Sequence, residues 1–222
     1  MDLQSEQILK APAAINFTVV IFILLLMALP VRALEPASFD FMGPAYCFAG
    51  NEEGDPNALG GYGPSDNLPK KIDSQDATLR EGVYLEITGD SKEAFVGRFE
   101  GLEIRLVNNG KNQLVLPASD SRIELYQEAL DTDGQWKPVE FFPSSWCGNS
   151  RHNVYLKQGQ YFAFVAPKYS GPIKTKLRFK LDGGLESPIV SKEYDGGIHP
   201  QQFVREKSPQ RHSGRSIMDP HE

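Results

Sequence analysis

From Val83 to Val190, apolar and polar positions alternate with a period of two in short runs separated by turn residues. Val83, Leu85 and Ile87 share one side of the first run, with Tyr84, Glu86 and Thr88 on the other. Leu102, Ile104 and Leu106 alternate with Glu103 and Arg105, and Asn108-Asn109-Gly110 then supplies residue types that a hairpin turn demands. Leu114 with Leu116, Ile123 with Leu125, a stretch from Trp136 to Phe142, and Val154 with Leu156 continue the series. Tyr161 to Ala166 is apolar throughout and predicts a central strand. Thr175, Leu177, Phe179 and Leu181 alternate with Lys174, Lys176, Arg178 and Lys180, and Ile189-Val190 is expected to be the last strand. Roughly seven to nine strands joined by polar turns, with no helical period among them, predict an all-β antiparallel β-sandwich of immunoglobulin-like type.

The pattern differs on both sides of this region. Ile15 to Leu29 is a nearly unbroken apolar run, as long as a signal-peptide core and shorter than the roughly 20 residues that span a bilayer. Val31 and Ala33 stand at the spacing a signal peptidase reads, so residues 1–33 are expected to be a signal peptide. Export to the periplasm or the cell exterior follows. Asp2 and Glu6 offset Lys10, and the alternative is a membrane tether through an uncleaved signal anchor. Residues 34–80 are a Gly- and Pro-rich extension whose first part, with Phe39, Phe41, Tyr46 and Phe48, is expected to dock on the domain. Residues 81–204 form the sandwich domain, and residues 205–222 have the composition of a disordered tail.

A formal net charge of −6 on an exported chain argues against nucleic acid as a partner. The excess lies in residues 34–80, where eight acids face three bases. Cys47 and Cys147 are the two cysteines, and in an oxidising compartment they are expected to form one disulfide. Closing a loop of that size contributes about 4–5 kcal/mol by chain entropy.

Candidate chemistry is sparse. Period two places Lys174, Lys176, Arg178 and Lys180 on one face of one strand. Either acids such as Glu86, Glu103 or Glu124 offset this row, or it binds an anionic glycan, a lipid head group or an acidic protein surface. Ser150 or Cys147 with His152 is the only nucleophile–base pairing that suggests itself, and no third residue to orient the histidine stands nearby. Asp131-Thr132-Asp133-Gly134 begins like a calcium loop, lacks its closing glutamate, and is read as a turn. The four histidines show no ligand spacing, so neither a metal nor another cofactor is expected.

Trp146-Cys147-Gly148-Asn149-Ser150, between the Trp136-Lys-Pro-Val-Glu140 strand and Gly171-Pro-Ile-Lys-Thr-Lys-Leu-Arg178, resembles a block found in exported bacterial proteins of unassigned activity. The likeness covers residues 83–203 and implies a compartment and a β-rich fold. The strand pattern is also similar to immunoglobulin-like and fibronectin-like sandwiches, although Cys47 precedes the strands and no Cys…Trp…Cys spacing joins two of them. The same block resembles the thioredoxin Trp-Cys-Gly-Pro-Cys signature with serine for the second cysteine, without the helix that lowers a redox thiol's pKa.

These features point to an exported, disulfide-stapled binding or structural module. The alternatives are a secreted protease inhibitor acting through Phe142-Pro-Ser-Ser-Trp146, a thiol oxidoreductase through Cys147, or a hydrolase through Ser150 and His152. Amino-terminal sequencing of protein purified from its native host should begin at Leu34. Recovery of Met1 in a detergent extract would establish the anchor instead.

Overall fold

In the computed structural model, which describes residues 33–37, 46–73, 79–140 and 148–204, the period-two runs fold as strands. These are β1 (Lys70–Lys71), β2 (Gly82–Asp90), β3 (Gly101–Asn109), β4 (Leu114–Ser119), β5 (Arg122–Ile123) and β6 (Leu125–Leu130). They continue as β7 (Trp136–Pro138), β8 (Arg151–Leu156), β9 (Gln160–Pro167), β10 (Ile173–Leu181), β11 (Ile189–Val190) and β12 (Tyr194–Ile198), before a short helix α1 (Pro200–Val204). Each pairing between these strands is antiparallel. One sheet has the order β1-β9-β3-β2, a second β11-β10-β6-β7 with β12 also on β10, and a third β5-β4-β8.

Leu85, Ile104, Leu106 and Phe162 from the first sheet join Leu125, Leu177 and Phe179 from the second and Leu116 and Val154 from the third in a single apolar cluster. The alternation read from the sequence is the reason, because every strand has one row to bury and the sheets bury those rows against each other. The result is an all-β, sandwich-like fold. Among the described residues no helix is long and apolar enough to cross a membrane.

Two expectations about strands change. Ile189–Val190 is not the last strand, because β12 follows it and pairs with β10 from Ile173 to Leu177. Gly196 and Gly197 give β12 no apolar pattern, yet glycine is required there. A Cβ on Gly197 would lie 2.4 Å from the Gly171 carbonyl oxygen, and one on Gly171 only 2.1 Å from Ile198. The stretch predicted from Trp136 stops at Pro138, after which Val139 still donates to the Gln127 carbonyl at 3.0 Å and Glu140 is buried. Phe141 and Phe142 lie outside the described residues. β9 is central in its sheet as expected, but only Phe162, Phe164 and Ala166 are buried; Tyr161, Ala163 and Val165 face outward and are half-buried.

The extension is tied to the domain by burial of Tyr46, Cys47 and Ala49 in its core and by hydrogen bonds. Ala49 donates to Ser121, the Cys47 carbonyl accepts from Ile123, and β1 pairs with β9. Asn51 aligns its side-chain amide with β8, donating to the Asn153 carbonyl at 2.8 Å and accepting from Tyr155 N–H at 2.9 Å. Asp55 accepts from Asn153 N–H at 2.7 Å and from the Tyr155 hydroxyl at 2.8 Å. Two side chains thereby satisfy the strand edge that β4 leaves open, the exposure that invites edge-to-edge association. Burial pushes the Asp55 carboxyl up, but the Asn153 and Asn57 N–H groups and the Tyr155 phenol together hold it below its ordinary value.

Two turns place non-glycine residues in the left-handed region. Asp120 (φ 47°) and Ser121 (φ 62°) make the two-residue β4–β5 turn, whose twist requires positive φ at both positions. The extension pins it, since Gly63 N–H donates to Asp120 Oδ1 at 2.8 Å and Ser121 Oγ donates to the Gly63 carbonyl at 2.8 Å. Val96 (φ 45°) has no such support and is 59% exposed. A β-branched side chain is the wrong choice there. Val96→Asn should therefore raise stability by about 1 kcal/mol in urea denaturation. A loss of stability would mean that the valine makes contacts that outweigh its strain.

Candidate functional site

The outward row of β9 helps to line a groove of about 640 Å3 on the four-stranded sheet. Register explains its make-up. Arg105 of β3 lies opposite Ala163 of β9 and Glu103 opposite Val165, so a small apolar row runs beside a charged one. Thr88 and Asp90 of β2 extend the lining beyond β3. Arg105 donates from Nε and Nη2 to Glu103 Oε1 at 3.2 and 3.0 Å, and its guanidinium carbon lies 5.0 Å from the centre of the Tyr161 ring. Asp90 is gripped by Lys168 at 2.7 and 2.9 Å. The groove therefore combines an aromatic ring, a strip of small apolar side chains and planar hydrogen-bonding groups whose rotamers are already set.

The lysine and arginine row on β10 projects from one face as predicted, backed by Leu177, Phe179 and Leu181, each fully buried. The partners differ from those expected. Strand order places β6 on one side of β10 and β12 on the other, so the acids that meet the row are Glu128, Asp182 and Asp195. Lys176 pairs with Asp195 at 2.7 Å, Arg178 with Glu128 at 2.7 Å, and Lys180 with Asp182 at 3.3 Å and Glu128 at 3.6 Å. Arg178 also stacks on Trp136, 4.1 Å from the ring centre. Lys174, the fourth, is exposed opposite Gly197. Of the acids named from sequence, Glu103 belongs to Arg105, and Glu124 is buried and accepts from Gly183 N–H at 2.9 Å. Much of the stripe's charge is thus offset locally.

Ser150 and His152 do not form a pair. Ser150 Oγ donates to Asp120 Oδ2 at 2.9 Å, whereas His152 turns Nε2 towards Ser121 Oγ at 3.5 Å and Nδ1 towards the Ser150 carbonyl at 3.1 Å. Tyr62 stacks on the imidazole at 3.8 Å between ring centres and helps to bury it. Strand alternation would put both on one face, but Ser150 belongs to the 3-10 turn Gly148–Ser150 that precedes β8, so the two side chains meet different neighbours. The Asp131 turn closes on itself, with Oδ1 accepting from Asp133 and Gln135 N–H at 2.8 and 2.9 Å.

Cys47 is fully buried, and desolvation pushes its thiol well above the ordinary value. Cys147 and the Phe142–Trp146 segment lie outside the described residues, as do residues 1–32 and 205–222.

A polar cluster inside the core had no sequence signal. Glu140 is completely buried; Oε2 accepts from the Tyr46 hydroxyl at 2.6 Å and Gln127 N–H at 2.7 Å, and Oε1 from the Tyr169 hydroxyl at 2.9 Å and Gln127 Nε2 at 3.1 Å. Gln127 Nε2 also donates to the Pro167 carbonyl at 3.1 Å, and Gln127 Oε1 accepts from the Tyr194 hydroxyl. Burial lifts the Glu140 carboxyl above its ordinary value, and the four hydrogen bonds, which favour the anion, do not cancel that rise.

No protein-family model, curated protein or solved structure gives a significant match to this chain.

The Glu140 carboxyl sets a pH dependence of known sign. Above the ordinary value of 4.5 the unfolded chain releases this proton before the folded protein does, so the contribution to stability falls as pH rises, until the folded value is passed. Urea denaturation at several pH values should show wild type losing stability relative to Glu140→Gln over that window. A difference that stays flat with pH would contradict the assignment.

Proposed function

We propose that this chain is exported, loses its leader after Ala33, and acts as a disulfide-stapled recognition module whose contact surface is the groove over β9. The observation that carries this reading is the outward apolar row Tyr161, Ala163 and Val165. Core formation accounts for Phe162, Phe164 and Ala166; on the other face Val165 still packs partly against the core, whereas Tyr161 and Ala163 stand outside that cluster. A rigid strand in the middle of a sheet is a good mount for a binding surface, because its neighbours hold the backbone on both sides. The titratable groups elsewhere serve the fold: Asp55 caps an edge, Glu140 joins core strands, and His152 lies under Tyr62. The staple proposed here links Cys47 to Cys147.

Alkylation of the denatured, unreduced mature protein should label no thiol. Labelling of Cys147 would overturn the staple. Turnover of an ester or disulfide substrate that is lost in His152→Ala or Cys147→Ser would overturn the module reading in favour of an enzyme. Tight inhibition of a protease through the 142–146 loop would move the contact surface away from the groove.

A further inference from the structure

Resting on that reading, we infer that the β9 groove takes an uncharged oligosaccharide. The first argument is electrostatic. Lys70, Lys92 and Arg105 line the groove together with Asp90, Glu93 and Glu103, three bases against three acids. Such a lining has no net charge with which to draw in a polyanion or a polycation, and screening weakens what remains of the field. The β10 stripe is no better suited to a polyanion, since Glu128, Asp182 and Asp195 already answer three of its four cations.

The second argument is the type of contact on offer. A pyranose ring has an apolar C–H face and an edge of hydroxyls that both donate and accept. An apolar strip beside planar, two-pronged polar groups matches both features, because a carboxylate or guanidinium can engage two neighbouring hydroxyls at once. The groove has that division, with Tyr161, Ala163 and Val165 along β9 and Glu103 and Arg105 beside them on β3. Tyr161 to Val165 spans about 13 Å at the rise of a strand, enough for more than one sugar ring. The Arg105 guanidinium covers one face of the Tyr161 ring, 5.0 Å from its centre, so a sugar ring would stack on the opposite face.

The third argument is what a peptide would need. Strand addition requires an open edge, and β9 has β1 on one side and β3 on the other. A peptide laid across this face would find side-chain contacts and no ladder.

The test is an NMR titration of the mature, oxidised protein with cellohexaose, chitohexaose and xylohexaose, beside a heparin hexasaccharide and a mixed hexapeptide pool. At least one neutral sugar should shift resonances confined to β3, β9 and the Ser91–Glu93 rim. Tyr161→Ala should weaken that binding by about tenfold or more, and Tyr161→Phe should retain it, because the ring face and not the hydroxyl makes the contact. Arg105→Gln, which keeps a planar donor, should weaken it less than Arg105→Ala. Raising salt should change the affinity by less than about twofold, since no net charge is neutralised. Shifts at the groove from heparin or peptide alone would overturn the saccharide assignment and leave the recognition surface standing. Sugar binding that ignores both Tyr161 and Arg105 would overturn it as well. No shift at the groove with any probe would overturn the assignment and the recognition reading together.

Discussion

A buried carboxylate held by four neutral donors organises this sandwich. Taking an isolated charge out of water costs several kcal/mol, and only a full set of donors makes the position tolerable. Glu140 has that set, four donors on two oxygens, drawn from segments far apart in sequence. Tyr46 comes from the extension, Gln127 from β6, and Tyr169 from the turn after β9, while Tyr194 of β12 reaches the cluster through Gln127. Each donor is useful only in one register, because a slip of one residue in β6 or β12 turns Gln127 or Tyr194 to the other face. Removing the acceptor would strand several buried donors, at about 1–3 kcal/mol for each. The cluster thus ties these segments into one arrangement, and its constraint reaches the extension through Tyr46.

That constraint has a consequence for the groove. Tyr46 anchors the extension at one end, and the chain then runs past the edge of β8, pins the β4–β5 turn at Gly63 and enters β1 beside β9. Asn67 on the way donates to the Phe48 and Ala163 carbonyls at 2.9 and 3.0 Å. The extension therefore supplies the last strand of the sheet on which the groove sits, together with Asn67 and Lys70 in its lining. A core carboxylate and a surface cleft are linked through one segment of chain, without any contact between them.

The strands were legible because alternation is local and the core is built from it. Leu102, Ile104 and Leu106, and Leu177, Phe179 and Leu181, bury the face the pattern names. In the first run Leu85 is buried, Val83 and Ile87 are half-buried, and Tyr84 of the opposite face is buried too. What escaped was set by partners distant in sequence. β12 is written with Tyr194, Asp195 and two glycines, and its place depends on the close passage of Gly171 and Gly197. Asn51 and Asp55 stand in a run that has turn composition, and their role as edge caps exists only once β8 lies beside them. Glu140 looks like any polar strand residue until three tyrosines converge around it. The charged row on β10 was found, and its partners were not, since strand order and not sequence distance decides which acid meets which base. Tyr161 to Ala166 is the central strand its apolar run names, although only Phe162, Phe164 and Ala166 are fully buried.

Those two faces can be weighed against each other. A row of four cations draws attention in the sequence, but Arg178 sits directly across from Glu128 and Lys176 across from Asp195, the pairing a sheet uses to neutralise itself. Once neutralised, such a face requires no ligand to explain it. The β9 face is the opposite case. Its side chains are unremarkable in charge; Val165 packs partly against the core and Tyr161 lies under the Arg105 guanidinium, yet both stay partly accessible on a strand held from both sides. We therefore propose recognition over β9, where an aromatic ring and small apolar side chains stay partly accessible, and a structural role for the row on β10, whose cations are met by acids of the neighbouring strands.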